Sequence, residues 1–232
     1  MKQLLSISVT TKEWTEGNHA WFDAKIKPGA VVEVHWGDGR HSTFPHYREN
    51  WSRVEHYYGC EGTAESFEIE FLSDDEESLI TLIDGTWEMT AHSVRLKNCP
   101  SLKAMQYCQA YKFDFSGASQ LELLDCHEYY GESIDVSTLP CLRQLSVRLS
   151  PYLQSLSLNK NHLLEVLNIG YCHKLTKVAV SNNSNLKLLS YDFTRLGKHS
   201  LQWLEKIIKR NGGEIVDWID VAFSSVGIMR NN

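Results

Sequence analysis

The sequence predicts a mainly β chain: an N-terminal β-sandwich, then a short β-solenoid with half-repeats of about 11 residues, then a closing helix and strand. Three observations predict it. One apolar phrase recurs every 11 residues, as Leu164..Leu167.Ile169, Leu175..Val178.Val180 and Leu186..Leu189.Tyr191. Followed backwards, it resolves into two interleaved series, 105, 124, 145, 167, 189 and 94, 113, 134, 156, 178, with identical successive spacings of 19, 21, 22 and 22. The first 85 residues lack this period and offer strand-like runs split by Gly, Pro and Asp instead. The expected division is 1–86 for the sandwich, 87–196 for the solenoid and 197–232 for the cap.

Taken in order, the N-terminal runs are Leu4 to Val9, Ala20 to Lys25, Val31 to Trp36, Phe67 to Phe71 and Leu79 to Ile83. Asp38-Gly39 supplies a tight turn with positive φ, and Trp36 is large enough to anchor a small core. Residues 84–92 form the junction, where Trp87 is placed to wedge between the two parts.

Within the solenoid, an apolar-polar-apolar triplet is the smallest strand with one buried face, and eleven residues suffice for such a strand and a turn. Two triplets per coil give two parallel sheets around a shared interior. The phrase continues upstream as Leu153..Leu156.Leu158, Leu142..Leu145.Val147, Leu121..Leu124.Cys126 and Leu102..Met105.Tyr107, while Ile134-Asp135-Val136 and Phe113-Asp114-Phe115 fill the two long gaps. No coil buries its own apolar row, so the stack needs several coils and a cap at its end. The cap is read as a helix of about 11 residues started by Ser200, with Leu201, Leu204, Ile207 and Ile208 on one face, stopped by Gly212-Gly213 and followed by the strand-like "EIVDWIDVAF".

The L-x-x-L-x-L core at 21 to 22 residues resembles the leucine-rich repeat. The stretches "NCPSLKAMQYC", "ASQLELLDCHE", "SIDVSTLPCLRQLSV" and "KLTKVAVSNNSNLKLLSY" look like the compact repeats of Bacteroidetes cell-surface proteins, although Asn stands at only some turns (Asn98, Asn159, Asn182, Asn183). In the N-terminal part, "VEVHWGDGR", "VEHYY" and "GTAESFEIEF" are similar to the polycystic-kidney-disease (PKD) type of immunoglobulin-like domain, through Trp36, Gly37, Asp38, Gly39, His56, Tyr57 and Gly62. The two resemblances imply a surface or secreted binding protein without a cofactor. The opening Met1 to Val9 alternates as a strand and lacks the apolar run of a leader, so localisation stays open.

A formal charge of -6 and the absence of any basic run argue against nucleic acid, and no window is apolar enough for a transmembrane segment. Six cysteines without zinc spacing read as free core thiols. His35, His41, His46 and His56 fall within 22 residues, but their spacing matches no helix-borne ligand pattern and alternate strands would aim the rings apart, so no metal is expected. Asp74-Asp75-Glu76-Glu77 lacks calcium-loop spacing and reads as a solvated hairpin tip. In "CHE" the thiol of Cys126 points inward and His127 outward, so the pair cannot cooperate, and no catalytic residue is expected.

Binding is therefore sought on the outward positions of the first sheet. One row, Ala104, Leu123, Gln144, Val166 and Leu188, is unusually apolar, and beside it run Gln106, Asp125, Ser146, Asn168 and Ser190, with Tyr129, Tyr130, Tyr171 and Phe193 at the rim. The expected contact surface is Leu123, Gln144, Val166, Leu188, Asp125, Asn168, Tyr129, Tyr171 and Phe193, facing a protein partner. The alternative cover for this row is the N-terminal domain or a second copy. A carbohydrate-binding accessory role, suggested by Trp51, Tyr57, Tyr58, Tyr129 and Tyr130, is the second reading, and a metal-dependent hydrolase the third.

Overall fold

The computed structural model describes residues 1–12, 18–45, 51–59, 63–86, 88–106, 109–181 and 183–217. Cys60, Gly62, Trp87, Tyr107, Cys108, His46, Asn182 and the run from Trp218 onward lie outside the described residues, as do the expectations placed on them. The chain divides into two compact units, Met1–Ala118 and Ser119–Asn232.

The first unit contains β1 (Lys2–Thr10), β2 (His19–Ile26), β3 (Glu33–His35), β4 (His41–Thr43), β5 (Ser52–Tyr57), β6 (Ser66–Ser73), β7 (Leu79–Asp84), β8 (Thr90–Leu96), β9 (Ala104–Gln106) and β10 (Lys112–Asp114). They form a sheet in the order β10-β8-β1-β6-β3-β4 and a run β9-β7-β2-β5. Period-2 alternation decides which residues go inward: Ile7, Phe22, Val34, Ile69 and Phe71 are fully buried. Phe22 of β2 stacks on Trp36 at 5.9 Å and meets Phe71 of β6 edge-on at 4.8 Å, so the two sheets share an aromatic core.

The W-G-D-G turn is held from several sides. Gly37 and Gly39 have φ of 86° and 89°, which side chains rarely adopt, and a Cβ on Gly37 would lie 2.9 Å from the Glu68 carbonyl oxygen. Asp38 Oδ1 accepts from the Arg40 amide at 3.0 Å, and Asp38 Oδ2 lies 2.9 Å from His56 Nε2. The His56 ring stacks on Trp36 at 5.1 Å, and Tyr58 Oη donates to the Trp36 carbonyl at 2.8 Å. His56 is thus a buried residue that braces the turn.

Solenoid pairing begins inside this unit. β7 pairs with β9 in parallel, aligning Leu82 with Met105, and β8 pairs with β10 in parallel, aligning Val94 with Phe113. β7 also runs antiparallel to β2, and β8 antiparallel to β1. The first interleaved series therefore reaches back to Leu82, one strand earlier than the phrase read in the sequence, and the same two strands serve the antiparallel and the parallel parts. Asp84, at the end of β7, is fully buried. Its Oδ1 accepts from the Thr86 amide at 2.9 Å, its Oδ2 has no partner among the described residues, and burial pushes its pKa to about 6 against the opposing Thr86 hydrogen bonds.

The second unit carries β11 (Leu123–Asp125), β12 (Ser133–Ile134), β13 (Gln144–Ser146), β14 (Ser155–Ser157), β15 (Val166–Asn168), β16 (Lys177–Ala179), β17 (Leu188–Ser190), α1 (Lys198–Arg210) and β18 (Glu214–Ile215). It is a parallel β-solenoid. One sheet runs β18-β17-β15-β13-β11 and the other β12-β14-β16, and all of these pairings are parallel. The register is the one the spacings predict: Leu124, Leu145, Leu167 and Leu189 stack in the first sheet, and Ile134, Leu156 and Val178 in the second. The first of these ladders is fully buried, as are Leu121, Leu142, Leu164 and Leu186 at the start of each phrase. At about 25 cal/mol per Å² of apolar surface removed from water, each such leucine contributes roughly 1.5–3 kcal/mol. Cys126 and Cys172 are buried free thiols in the same interior, with Cys99 buried in the first unit and Cys141 half-buried.

A short asparagine ladder locks the turns. Asn161 Nδ2 donates to the carbonyls of Val136 and Leu139, both at 2.9 Å, and Asn183 Nδ2 donates to the Asn161 carbonyl at 2.9 Å. Asn183 Oδ1 in turn accepts from the amides of Asn185 and Leu186. Asn211, at the C-cap of α1, extends the series by donating to the carbonyls of Asn183 and Leu186.

The cap differs from expectation at its start. α1 begins at Lys198 behind Gly197, whose extended backbone (ψ 150°) provides no side-chain cap, so Ser200 lies in the first turn and is not the N-cap. The first helical bond, Leu201 N–H to the Gly197 carbonyl at 3.1 Å, fixes that start. The end agrees: Gly212 has φ 67°, and the Gly213 amide donates to the Ile208 carbonyl. Leu204, Ile207 and Ile208 are buried, and β18 adds to β17 as a further parallel strand. Among the described residues, no helix is long and apolar enough to cross a membrane.

Candidate functional site

The outward register of the first solenoid sheet is as predicted, with Leu123, Gln144, Val166 and Leu188 in one row and Asp125, Ser146, Asn168 and Ser190 in the next. Availability is not. Leu123 is fully buried, and Gln144, Asp125, Asn168 and Tyr129 are buried as well. The apolar character that marked this row as a contact surface suits burial within the chain equally well, and the sequence pattern alone does not separate the two. Asn168 Oδ1 accepts from the Gly170 amide, and Tyr129 Oη donates to the Ser133 carbonyl at 2.8 Å, so both serve the coil itself. Val166 and Leu188, on the last coils, remain half-buried.

What stays at the surface is the corner that follows each strand of the first sheet. Glu128, Leu149, Tyr171 and Phe193 all take a left-handed backbone, with φ of 56°, 60°, 61° and 58°. Their separations are those of the coils. Amide bonds to the next coil hold them there: Glu128 to the Arg148 carbonyl, Leu149 to that of Gly170, and Tyr171 to that of Asp192. A bulky residue in this region is strained by roughly 1–3 kcal/mol, and such strain concentrates where a site must be shaped. The repeated corner places one side chain from each coil in a column.

At the C-terminal end that column is aromatic. Tyr171 and Phe193 stack at 4.7 Å with 22° between their planes, His173 approaches Phe193 edge-on at 6.5 Å, and Phe193 is 62% exposed. On the following turn Tyr152 is exposed, with the Lys174 ammonium 4.7 Å from its ring centre. Tyr171 and Phe193 were legible as rim residues. Tyr152 was not, because its exposure depends on the turn conformation and not on the repeat.

The other sheet presents small polar groups. Ser133, Asp135, Ser137, Ser155, Ser157 and Lys160, with Ile134 beneath, line an open depression of about 230 Å³. The Asp135 carboxyl is held low by the Ser137 hydroxyl and amide, a turn-forming role.

Cys126 and His127, weighed as a nucleophile and base, do not form a pair. Burial pushes the Cys126 thiol well above its ordinary range, so it is not a thiolate, and His127 turns away towards Asp125 at 3.6 Å. Of the carbohydrate candidates, Tyr58 and Tyr129 are buried, while Tyr57 is exposed and stacks on His19 at 4.1 Å. Asp75 accepts a hydrogen bond from Lys27, and Asp74 pairs with the Met1 amine, consistent with a solvated acidic turn.

No protein-family profile matches the chain, and no curated protein does. Among solved structures, a leucine-rich-repeat protein of Leptospira interrogans aligns at 13% identity and a TM-score of 0.26, over 51% of this chain and 50% of that one. The chain thus spans about half the length of that protein.

Proposed function

We propose that this chain is a non-enzymatic recognition module that binds a protein partner through the solenoid corner carrying Tyr171 and Phe193, with Val166 and Leu188 as its apolar margin. The single observation that carries this is the stacked aromatic pair, held on a strained left-handed backbone with Phe193 62% exposed. Leaving a phenylalanine in water forgoes roughly 1.5–3 kcal/mol of burial, which a partner's pocket would recover. Solenoid coils have little to reorganise, so the ordering cost of binding falls mainly on the partner. Lys174 and Arg195 neighbour the corner and are exposed, so the expected partner surface is apolar with an acidic margin.

In this reading residues 1–86 are a PKD-like spacer domain of the kind found in Bacteroidetes surface proteins, 87–196 are the recognition solenoid, and 197–232 close it. The W-G-D-G turn, with its Trp36, His56 and Tyr58 contacts, supports the first part.

Binding partners are to be captured with the full chain by crosslinking at the corner and then measured with Phe193→Ala and Tyr171→Ala. The expected result is a partner whose affinity falls at least about tenfold, by 1.4 kcal/mol or more, in Phe193→Ala at unchanged thermal stability. A partner that binds equally well to both variants would place the contact elsewhere. Phe193-dependent signal on a glycan array, without a protein partner, would favour the carbohydrate reading.

A further inference from the structure

The hairpin His35-Trp36-Gly37-Asp38-Gly39-Arg40-His41 is symmetric about Asp38, and its two histidines are the outermost residues. β3 and β4 align His35 with His41, and Glu33 with Thr43. The ladder bonds fall on other pairs: the Trp36 amide donates to the Arg40 carbonyl and the Phe44 amide to the Val32 carbonyl, each at 3.0 Å. His35 and His41 are therefore a non-hydrogen-bonded pair, the kind whose side chains approach most closely across an antiparallel ladder. Their ring centres are 5.5 Å apart, with 32° between the planes. The sequence-based expectation that alternate strands aim these rings apart does not hold for this pair, because the turn brings both onto one face.

Carboxylates surround them. Glu33, two residues before His35 on the same face, places Oε2 3.2 Å from His35 Nε2. On the other side β6 aligns Glu70 directly with His35, and Glu70 accepts a hydrogen bond from Gln3. The His35 and Glu33 side chains are 43% and 29% exposed, and His41 is exposed. The other described histidines of this unit differ. His56 is buried against Asp38, His19 stacks under Tyr57, and His92 is bonded to Thr10 at 2.7 Å.

We propose that this hairpin binds a divalent transition ion of the Zn²⁺, Ni²⁺ or Cu²⁺ class, with His35 and His41 as imidazole ligands and Glu33 as the carboxylate. Two donors about 2.1 Å from a tetrahedral ion stand roughly 3.4 Å apart, close to the observed separation of Glu33 Oε2 and His35 Nε2. Imidazole and carboxylate together suit these borderline ions, and Glu70 adds negative charge beside them. Among the described residues no three His, Cys, Asp or Glu side chains are placed, as they stand, to hold a metal ion, so the His41 ring has to turn. The hairpin backbone sets two ligands side by side, rotation of the His41 ring completes the chelate, and water fills the remaining positions.

The test uses the full chain, stripped with a chelator and titrated with Zn²⁺ and Ni²⁺ by calorimetry, with ring resonances of the histidines followed by NMR in the same titration. One ion per chain is expected, with the His35 and His41 resonances moving first. His35→Ala or His41→Ala should weaken binding by more than about tenfold, the lower end of what even outer-shell changes cost. Glu33→Gln should weaken it less. His162→Ala, an exposed position in the other unit, should leave it unchanged. Undetectable binding to the wild-type chain, or binding undiminished in the His35→Ala/His41→Ala double variant, would overturn the proposal. NMR shifts confined to other histidines would overturn it even if a variant failed to fold.

Discussion

Replacing Asp84 with Asn should remove a pH dependence of stability that the wild-type chain carries. Asp84 is fully buried and only its Oδ1 is hydrogen-bonded, so the charged form is disfavoured and its pKa stands at about 6, raised from 3.8. A carboxyl whose pKa is raised in the folded state binds its proton more tightly there than when unfolded. Its contribution is therefore fully favourable below about pH 4, is lost as pH rises through about 6, and is constant above that. At 1.36 kcal/mol per unit, the shift of about two units corresponds to roughly 3 kcal/mol. For a chain of this size that is a melting difference of about 6–12 °C between mildly acid and neutral solution.

Asn cannot ionise, so Asp84→Asn should lack this slope. It leaves an amide donor where Oδ2 was unpartnered, a cost of roughly 1–3 kcal/mol that does not vary with pH. The informative quantity is the wild-type minus variant difference in urea or thermal unfolding, followed from about pH 4 to about pH 7. That difference should change by roughly 3 kcal/mol across the window in favour of the variant at neutral pH. Parallel curves would refute the reasoning and mean that the Asp84 carboxylate is solvated or paired.

Two further outcomes follow from hydrogen bonds already described. Asn183→Ala strips acceptors from the Asn185 and Leu186 amides and a donor from the Asn161 carbonyl, and should cost roughly 2–4 kcal/mol in chemical unfolding, against a few tenths for Lys187→Ala on the exposed face. Asp38 has the opposite sign to Asp84. Burial, the largest single influence, raises its pKa, but the Arg40 amide and His56 outweigh it and the net shift is downward. Its contribution is present above the unfolded pKa near 4 and lost as pH falls through the lower folded value, so Asp38→Asn should flatten acid unfolding below about pH 4.

The solenoid was legible in the sequence because its signal is redundant. Leu124, Leu145, Leu167 and Leu189 repeat one environment four times, so a register error would have misplaced every one of them. The reach of the parallel pairing back to Leu82 was hidden, since β7 also belongs to an antiparallel pair and carries no full phrase. Asn161 was missed as a ladder residue in favour of Asn159, because the sequence does not say which turn position faces inward. For the candidate surface, alternation placed Leu123 and Gln144 outward correctly, but facing out of a sheet is not the same as facing water. The left-handed corners could not be foreseen at all. Glu, Leu, Tyr and Phe share no turn propensity, and at Glu128, Leu149 and Tyr171 the left-handed φ goes with amide bonds between coils. The His35 and His41 pairing, by contrast, was available from the symmetric spacing about W-G-D-G.

The asparagine at the end of α1 makes the close of the solenoid interchangeable with a coil. Asn211 offers the Asn183 carbonyl the same kind of donor that Asn183 offers Asn161, and Gly213, where a Cβ would fall 2.0 Å from the Lys187 carbonyl oxygen, lets β18 dock where another strand would. To the last turn, helix and strand together imitate one more storey. Whole storeys of about 22 residues inserted below this helix and strand would keep the register, and each would bring its own corner residue to the column of Glu128, Leu149, Tyr171 and Phe193.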